Sequence, residues 1–318
     1  MTNPPAYPQF PGNDPQPTPD PYAAFPAPAD HPGSYMDPED APTATDGKLR
    51  PLEAIAFGFK RPAQNFFPWF AYVIIMLVVS IVLSTSGTLT PTTAADPTSS
   101  VSVGFSVVNG LVNLILSIVG IVAGIRCVDR RRVPLKQFFS TISWLPMVGM
   151  VILQGLVTGT IIAIVAAVSP GIRQFATAAM DNSDLFLGTA DPTDPAVADE
   201  MVAEMANLPW GALIGSVALI LVVSLVLSPL VSYWSYFLAD GRGSFGQAIS
   251  EGFRAGARNI GQIIILDILV GLAVTVGILI TFGIGMIYLI PVAYLAQAHA
   301  YRQIAGGPVP VGSVPPQV

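Results

Sequence analysis

The feature that most constrains this chain is a series of long apolar runs without an ionisable side chain, and residues 69–83 and 103–125 are clear examples. A helix needs about 20 such residues to cross the ~30 Å hydrocarbon core of a bilayer. Only 11% of the 318 residues are charged and 52% are hydrophobic, whereas a soluble domain carries about 25% charged residues. The sequence therefore predicts an all-α fold, a polytopic transmembrane helical bundle.

The apolar pattern predicts about six membrane segments, at residues 66–84, 103–125, 145–168, 210–237, 263–281 and 285–301. The last two belong to one apolar stretch that would be about 58 Å long as a single helix at ~1.5 Å per residue, too long for one pass. A turn is expected at residues 282–285, Phe-Gly-Ile-Gly, because glycine accepts positive φ angles. Two full passes and a re-entrant hairpin both fit this pattern.

The basic residues are distributed very unequally between the two predicted membrane faces. With the N-terminus inside, Arg173 is the only one of the 14 Lys and Arg residues that falls outside. Cytosolic flanks of membrane helices are enriched in Lys and Arg. The charge pattern therefore predicts an even number of passes, with both termini cytosolic and the chain in the plasma membrane. Arg130, Arg131 and Arg132 are expected to meet anionic lipid head groups, so the bilayer itself is a predicted partner.

Three regions are predicted along the chain. Residues 1–51 contain 14 of the 30 prolines and no apolar periodicity, which indicates a disordered, Pro-rich cytosolic tail. Residues 52–305 form the transmembrane domain, and residues 306–318 are a second disordered tail. The Pro-rich tail is either a solvated spacer or a segment that docks in an aromatic-lined groove of a cytosolic protein.

The segments before the first and fifth membrane helices match when the sequence is shifted by 194 positions. They share the pattern A-I-x-x-G-F-[K/R]-x-x-A-x-N, starting at Ala54 and Ala248. Apolar residues at three- and four-residue spacing predict an amphipathic helix lying along the cytosolic interface. Residues 135–143 are a weaker relative before the third membrane helix. The pattern favours three units, each an interfacial helix followed by a membrane hairpin, and chance matching is the alternative, especially for the weaker copy.

These motifs, with Asp240-Gly241-Arg242 and the closing segment from Pro291 to Arg302, resemble a family of multi-pass integral membrane proteins of actinobacteria. The resemblance covers about residues 50–305. It implies a Pro-rich cytosolic tail and a membrane domain distantly similar to the one found with some glycerophosphodiester phosphodiesterases, without their catalytic domain. It implies no activity.

Asp267 is the ionisable side chain that lies well inside a predicted membrane segment. An unpaired charge there costs at least ~2.5 kcal/mol, so such a residue is a candidate functional site. His299 and Arg302 close the next segment at a similar expected depth, and we expect Asp267 to face one of them. A proton-relaying His–Asp pair and a buried structural pair are the two interpretations.

Other polar residues inside predicted membrane segments are Asn109 and Asn113, Gln154, and the stripe Ser224, Ser228 and Ser232. Asn109, Asn113 and Gln154 are a candidate polar path across the membrane. The alternative is that these side chains hydrogen-bond neighbouring helices, which stabilises packing by only ~0.6–2 kcal/mol per bond. Pro229 and Pro291 interrupt two segments and free backbone carbonyls.

The sequence contains no phosphate-binding loop, metal-binding motif or nucleophile elbow. We therefore expect no enzymatic activity and no cofactor. Nucleic-acid binding is also not expected, because the basic residues are membrane flanks rather than a patch. The first functional hypothesis is an accessory or scaffold protein of the cell envelope that presents its Pro-rich tail. The alternative is a small-molecule or lipid permease, which a mid-membrane polar cavity would favour.

Overall fold

The computed structural model describes residues 42–43, 45–89, 100–130, 132–139, 142–181, 210–306 and 309–310, with isolated positions between 199 and 206. Its architecture is helical, apart from one antiparallel pair of two-residue strands, β1 (Pro42–Thr43) and β2 (Val309–Pro310). A short 3₁₀ turn at Pro62–Asn65 joins α1 to α2. The helices are α1 Pro51–Lys60, α2 Phe66–Leu89, α3 Ser100–Asp129, α4 Leu135–Phe138, α5 Trp144–Val168, α6 Pro170–Asp181, α7 Trp210–Val231, α8 Trp234–Ala239, α9 Phe245–Arg258, α10 Ile260–Ile280 and α11 Met286–Ile304.

Five helical stretches in the described residues are long and apolar enough to cross a membrane. They are Pro51–Val82, Val107–Asp129, Trp144–Val168, Trp210–Ala239 and Ile260–Ile280. The chain therefore has the helices of a multi-pass membrane protein, as predicted. The sixth predicted segment is α11, which has 19 residues and is not among the five. Its polar side chains are enclosed by protein rather than by lipid, since His299 is 0% exposed and Arg302 4%.

The turn between α10 and α11 lies at residues 281–285, where the glycine pattern predicted it. Gly283 has a φ of 88° and Phe282 a φ of 49°, so the chain reverses through the left-handed region that glycine adopts without strain. The side chains of Phe282 and Ile284 are 95% and 74% exposed. An apolar turn this exposed is suited to the interior or border of a bilayer rather than to water.

The packed core lies at one end of the bundle. In α3 the buried side chains start at Leu116 and continue to Val128, whereas Val107 to Ile115 are largely exposed. In α5 only Met147 and Met150, close to its start, are buried. A cluster of rings fills the centre of this core: Trp69 packs edge-on against Phe138 at 5.0 Å between ring centroids. The opposite halves of the helices present apolar side chains outward, as lipid-facing surfaces do.

Two of the predicted interfacial helices, α1 and α9, each pack against another helix through the glycine of the repeated sequence pattern. A Cβ built on Gly58 would lie 2.7 Å from the carbonyl oxygen of Val292 in α11. A Cβ on the equivalent Gly252 would lie 2.8 Å from Cδ1 of Trp234 in α8. Both glycines therefore allow a close backbone approach. In the described part of the weaker third copy, the helix is only one turn long, α4 at Leu135–Phe138, and is therefore much shorter than α1 or α9.

The predicted boundary of the N-terminal tail at residue 51 is too late. Thr45 Oγ1 donates a hydrogen bond to the carbonyl oxygen of Gln303 at 3.1 Å. The amide of Leu49 donates to Oδ1 of Asn259 at 3.0 Å, and the amide of Arg50 donates to Oε1 of Gln303 at 2.8 Å. These long-range bonds fix residues 45–50 to the membrane domain. Strand β2 lies in the predicted C-terminal tail. The tail predicted for residues 1–41 lies outside the described residues.

Candidate functional site

A cleft of about 610 Å³ lies part-way along the membrane helices, between α3, α5 and the α7–α8 pair, with α11 behind it. It is open on one side. Most of its walls are apolar, but one wall carries a column of hydroxyl groups from α7 and α8. The lining residues that matter for its chemistry are Ser117, Gln154, Thr158, Ser224, Ser228, Ser232, Ser235, Tyr236 and Tyr294.

The hydroxyl column follows from serine spacing and from a break in the helix. Ser224, Ser228 and Ser232 recur every fourth residue and therefore share one face. Helix α7 ends at Val231, shortly after Pro229, and α8 begins at Trp234. Gln154 Nε2 donates to the carbonyl oxygen of Val231 at 2.6 Å. The glutamine of the predicted polar path thus satisfies a backbone carbonyl at the helix break and also lines the cleft.

Asp267 lies directly behind the hydroxyl column. Its Oδ2 accepts a hydrogen bond from Ser228 Oγ at 2.8 Å, and its Oδ1 accepts one from Gln297 Nε2 at 2.7 Å. Gln297 is oriented in turn by Tyr233, whose hydroxyl donates to Oε1 at 2.9 Å. Ser228 and Ser232 also lie within hydrogen-bond distance, with 3.1 Å between their Oγ atoms. Asp267 is therefore linked to the cleft wall by its hydrogen bond to the hydroxyl group of Ser228.

The predicted pairing of Asp267 with His299 or Arg302 is wrong. In the α10–α11 hairpin, Asp267 lies 14 residues before the turn at residues 281–285 and Gln297 lies 12 residues after it. The hydrogen bond between them places the two side chains at a similar depth. Arg302 lies five residues further along α11, which is about 7.5 Å at ~1.5 Å per residue. His299 follows Gln297 by two residues and so points about 200° around the helix. The prediction compared only the expected depths of the side chains in the membrane. Arg302 lies too far along α11 to reach Asp267, and His299 lies on the other side of that helix.

Arg302 instead joins two carboxylates at the packed end of the bundle. Its Nη2 lies 2.6 Å from Oδ2 of Asp129, at the end of α3. Its Nη1 lies 2.7 Å from Oδ2 of Asp240, after α8. Asp240 also accepts from the hydroxyl of Tyr301 at 2.7 Å and from Arg242. The Arg302 side chain is 5% exposed and that of Asp240 10%. This network joins α3, α8 and α11.

His299 has a packing role in the described structure. Its ring stacks on Phe57 of α1, with 4.4 Å between centroids and 25° between planes. Within the described part of the chain, neither ring nitrogen has a hydrogen-bond partner. The imidazole is thus an aromatic spacer between α1 and α11, and the structure does not bring it to Asp267.

Asn109 and Asn113 do not reach the cleft. Both are exposed on the half of α3 that precedes its buried residues. Asn113 Nδ2 donates to Oδ1 and to the backbone carbonyl of Asn109, each at 2.8 Å. The two side chains are thus bonded to each other on one helix, whereas Gln154 is part of the cleft wall. Ser117, one turn further along α3, is the residue of that face that lines the cleft.

Asp129 was not singled out from the sequence, and Asp240 was noted only as part of the Asp240-Gly241-Arg242 motif, although a signal for both exists. Asp240-Gly241-Arg242 matches Asp46-Gly47-Lys48 at the same 194-residue shift that relates the two interfacial helices. Asp129 begins a similar Asp-Arg-Arg triplet before α4. Each triplet has a residue close to the end of α11: Asp129 and Asp240 bind Arg302, and a Cβ built on Gly47 would lie 3.9 Å from the carbonyl oxygen of Ile304. Extending the repeat by a few residues would have found them.

In the ranges that the structure describes, no group of three or more His, Cys, Asp or Glu side chains is placed to hold a metal ion. Cys127 is buried and free. Comparisons with protein-family models, with curated proteins and with solved structures found no match to this chain.

Proposed function

We propose that this chain is a non-enzymatic membrane protein that binds and carries an amphiphilic small molecule or lipid through its cleft, the permease alternative of the sequence analysis. The observation that carries the proposal is a cleft of about 610 Å³ with apolar walls and a column of hydroxyl groups. Small-molecule sites are typically clefts of ~300–1,000 Å³, mainly apolar, with a few convergent polar groups.

The position of the cleft supports an occupant that arrives from the bilayer. It is lined by α3, α5 and α7, helices that present many exposed apolar side chains on their outer surfaces. A molecule with an alkyl chain can enter from the hydrocarbon region while its polar group reaches Ser228 or Gln154. Satisfying such a polar group inside hydrocarbon is favourable because unpaired polar groups there are costly.

Photolabelling tests this proposal. The full chain in phosphatidylcholine nanodiscs is exposed to two 12-carbon diazirine probes, one with a hydroxyl head group and one with a trimethylammonium head group. We expect at least one probe to label α5 and α7 residues around the cleft, as mapped by mass spectrometry. Gly155 lines the cleft, and its Cβ position is open. Gly155→Phe should therefore reduce labelling at least fivefold.

The matched control is Gly159→Phe, one turn further along α5, where the Cβ position is also open but the residue is not part of the cleft wall. This variant should label like the wild type. Absence of cleft labelling with both probes, or equal loss in the two glycine variants, would refute the carrier proposal.

We also propose the finer topology: six passes in a plasma membrane, arranged as three units, with both termini cytosolic. Support comes from the basic residues, which gather at one predicted face, and from two equivalent asparagines. Asn65 Oδ1 accepts from the amide of Val133 at 2.8 Å, just before α4. Asn259 Oδ1 accepts from the amide of Leu49, just before α1. Each asparagine lies at the end of one interfacial segment, and its side-chain oxygen binds a backbone amide just before the next interfacial helix.

The accessory role is a second proposal, favoured by the anchoring of residues 45–50 to the end of α11. That anchor fixes where the preceding Pro-rich residues leave the domain. An affinity pull-down should compare the full chain with a version lacking residues 1–41, which keeps the anchor intact. Partners that are lost on truncation support this role, and an unchanged set of partners contradicts it.

A further inference from the structure

We infer that the cleft selects amphiphiles with a positively charged head group, such as an alkylammonium ion, and that Asp267 supplies the opposite charge. This inference rests on the proposed function and names its substrate class. It is argued from the charges around the cleft, from the direction of the hydrogen bonds at Asp267, and from the aromatic residues in the cleft wall.

In the described structure, the charged side chain that is hydrogen-bonded to the cleft wall is the carboxylate of Asp267. The cleft wall, as described, contains no Lys, Arg or His. The hydroxyl group of Ser228 lies between the cleft and Asp267. In the described structure, the hydrogen-bond partners of Asp267 are the neutral side chains of Ser228 and Gln297. A carboxylate among apolar helices favours a cation beside it. An anionic head group in the same place would meet a like charge with no basic side chain to compensate it.

The hydrogen bonds at Asp267 all run toward the carboxylate. Tyr233 donates to Gln297, and Gln297 donates to Oδ1 of Asp267. Ser228 donates to Oδ2. An ionised carboxylate is an acceptor with about four lone-pair sites, so two donors leave acceptor capacity for a ligand. Because Ser228 lines the cleft, a cationic group beside its hydroxyl comes close to the carboxylate.

Aromatic rings complete the surroundings that an ammonium group prefers. Tyr236 and Tyr294 both line the cleft, and cations are attracted to the faces of aromatic rings. Tyr294 and Gln297 are three residues apart on α11 and so share a face. Ile290 and Ala293 lie on this face too, and these four positions are half-buried where most of the helix is buried. The open side of α11 thus presents a tyrosine next to the glutamine that holds Asp267.

The two diazirine probes described above also test the head-group preference, because they share one alkyl chain. In the wild-type chain we expect the trimethylammonium probe to label the cleft at least tenfold more efficiently than the hydroxyl probe at equal mole fraction. Asp267→Asn should remove this preference and leave labelling by the hydroxyl probe within about twofold. Ser228→Ala should weaken labelling by the cationic probe about threefold.

Asn109→Ala is the matched control, since Asn109 is a polar residue of a membrane helix outside the cleft, and its preference should match the wild type. Gel filtration and circular dichroism check that each variant folds. If Asp267→Asn does not fold, the ratio of labelling by the two probes in the wild-type chain still tests cation selection. Equal labelling by the two probes would overturn cation selection while leaving the carrier proposal standing. An unchanged preference in Asp267→Asn would overturn the role of Asp267.

Discussion

At the scale of single residues, Arg302 is the side chain that connects the ends of α3 and α8 to α11. It binds Asp129 and Asp240 through different nitrogens, and its guanidinium lies 5.5 Å from the ring centroid of Tyr301. A planar guanidinium with several donors can hold two carboxylates at once, which an ammonium group does less well. The carboxylates belong to different helix ends, so one residue connects segments far apart in sequence.

Replacing Arg302 should therefore destabilise the protein strongly. Arg302→Met removes the cation that joins the two carboxylates: Asp129 loses its ion-pair partner, and Asp240 keeps only Arg242 and the hydroxyl of Tyr301. Breaking a buried ion pair costs about 3–5 kcal/mol, and we expect about 3 kcal/mol because Asp129 is 37% exposed. Thermal unfolding in nanodiscs, followed by circular dichroism, measures the effect.

The control for this substitution is Arg254→Met, because Arg254 is an exposed arginine on α9. Its replacement should change the free energy of unfolding by less than about 0.5 kcal/mol. Similar unfolding temperatures for the two variants would show that the Arg302 network contributes little to stability.

At the scale of helices, α1 and α9 illustrate how one sequence pattern produces two different contacts. Both helices carry a buried alanine, Ala54 and Ala248, four residues before the shared glycine. The glycine of α1 lies against α11, whereas the glycine of α9 lies against the start of α8. The shared pattern therefore specifies a helix with a small-residue face that permits close packing, and the partner is determined by the rest of the chain.

Adding a methyl group at either shared glycine should force the helices apart. We expect Gly58→Ala and Gly252→Ala each to destabilise the fold by about 1–3 kcal/mol, the usual cost of overpacking. Gly246→Ala is the matched control on α9, because nothing lies within 4 Å of its Cβ position. There alanine should be neutral or stabilise by up to about 1 kcal/mol through helix propensity. Equal effects at Gly252 and Gly246 in thermal unfolding would contradict the close-packing argument.

At the scale of the whole molecule, five of the six predicted membrane segments coincide with described helices that are long and apolar enough to cross a membrane, because the bilayer imposes their length and polarity. The run at 103–125 lies within α3, and the α10–α11 turn occurs at Phe282 and Gly283, as the glycines indicated. The partners of Asp267 were not predictable, because they depend on helix rotation and on a serine 39 residues away. The cleft was also not predictable from the sequence, because it depends on the relative positions of several helices and on the helix break after Pro229.

The orientation of the molecule can be tested with single cysteines. Wild-type Cys127 is buried and should be silent toward a membrane-impermeant maleimide. Met180→Cys places a thiol at a 77% exposed position of α6, on the predicted outer face, and it should react in intact cells. Ser250→Cys, on the exposed side of α9, should react only after the cells are permeabilised. The reverse pattern would invert the proposed topology.

The position of α11 at the centre of the packed end has a consequence for how the molecule is made. Of the described helices it is the last to leave the ribosome, and it is also the one whose polar side chains are enclosed by the others. Until α11 is synthesised, Asp129 lacks the Arg302 side chain that pairs with it, and Asp240 has only Arg242 as a basic partner. Assembly is therefore completed late, and a nascent chain that stalls before α11 lacks the helix that fills the centre of the packed end.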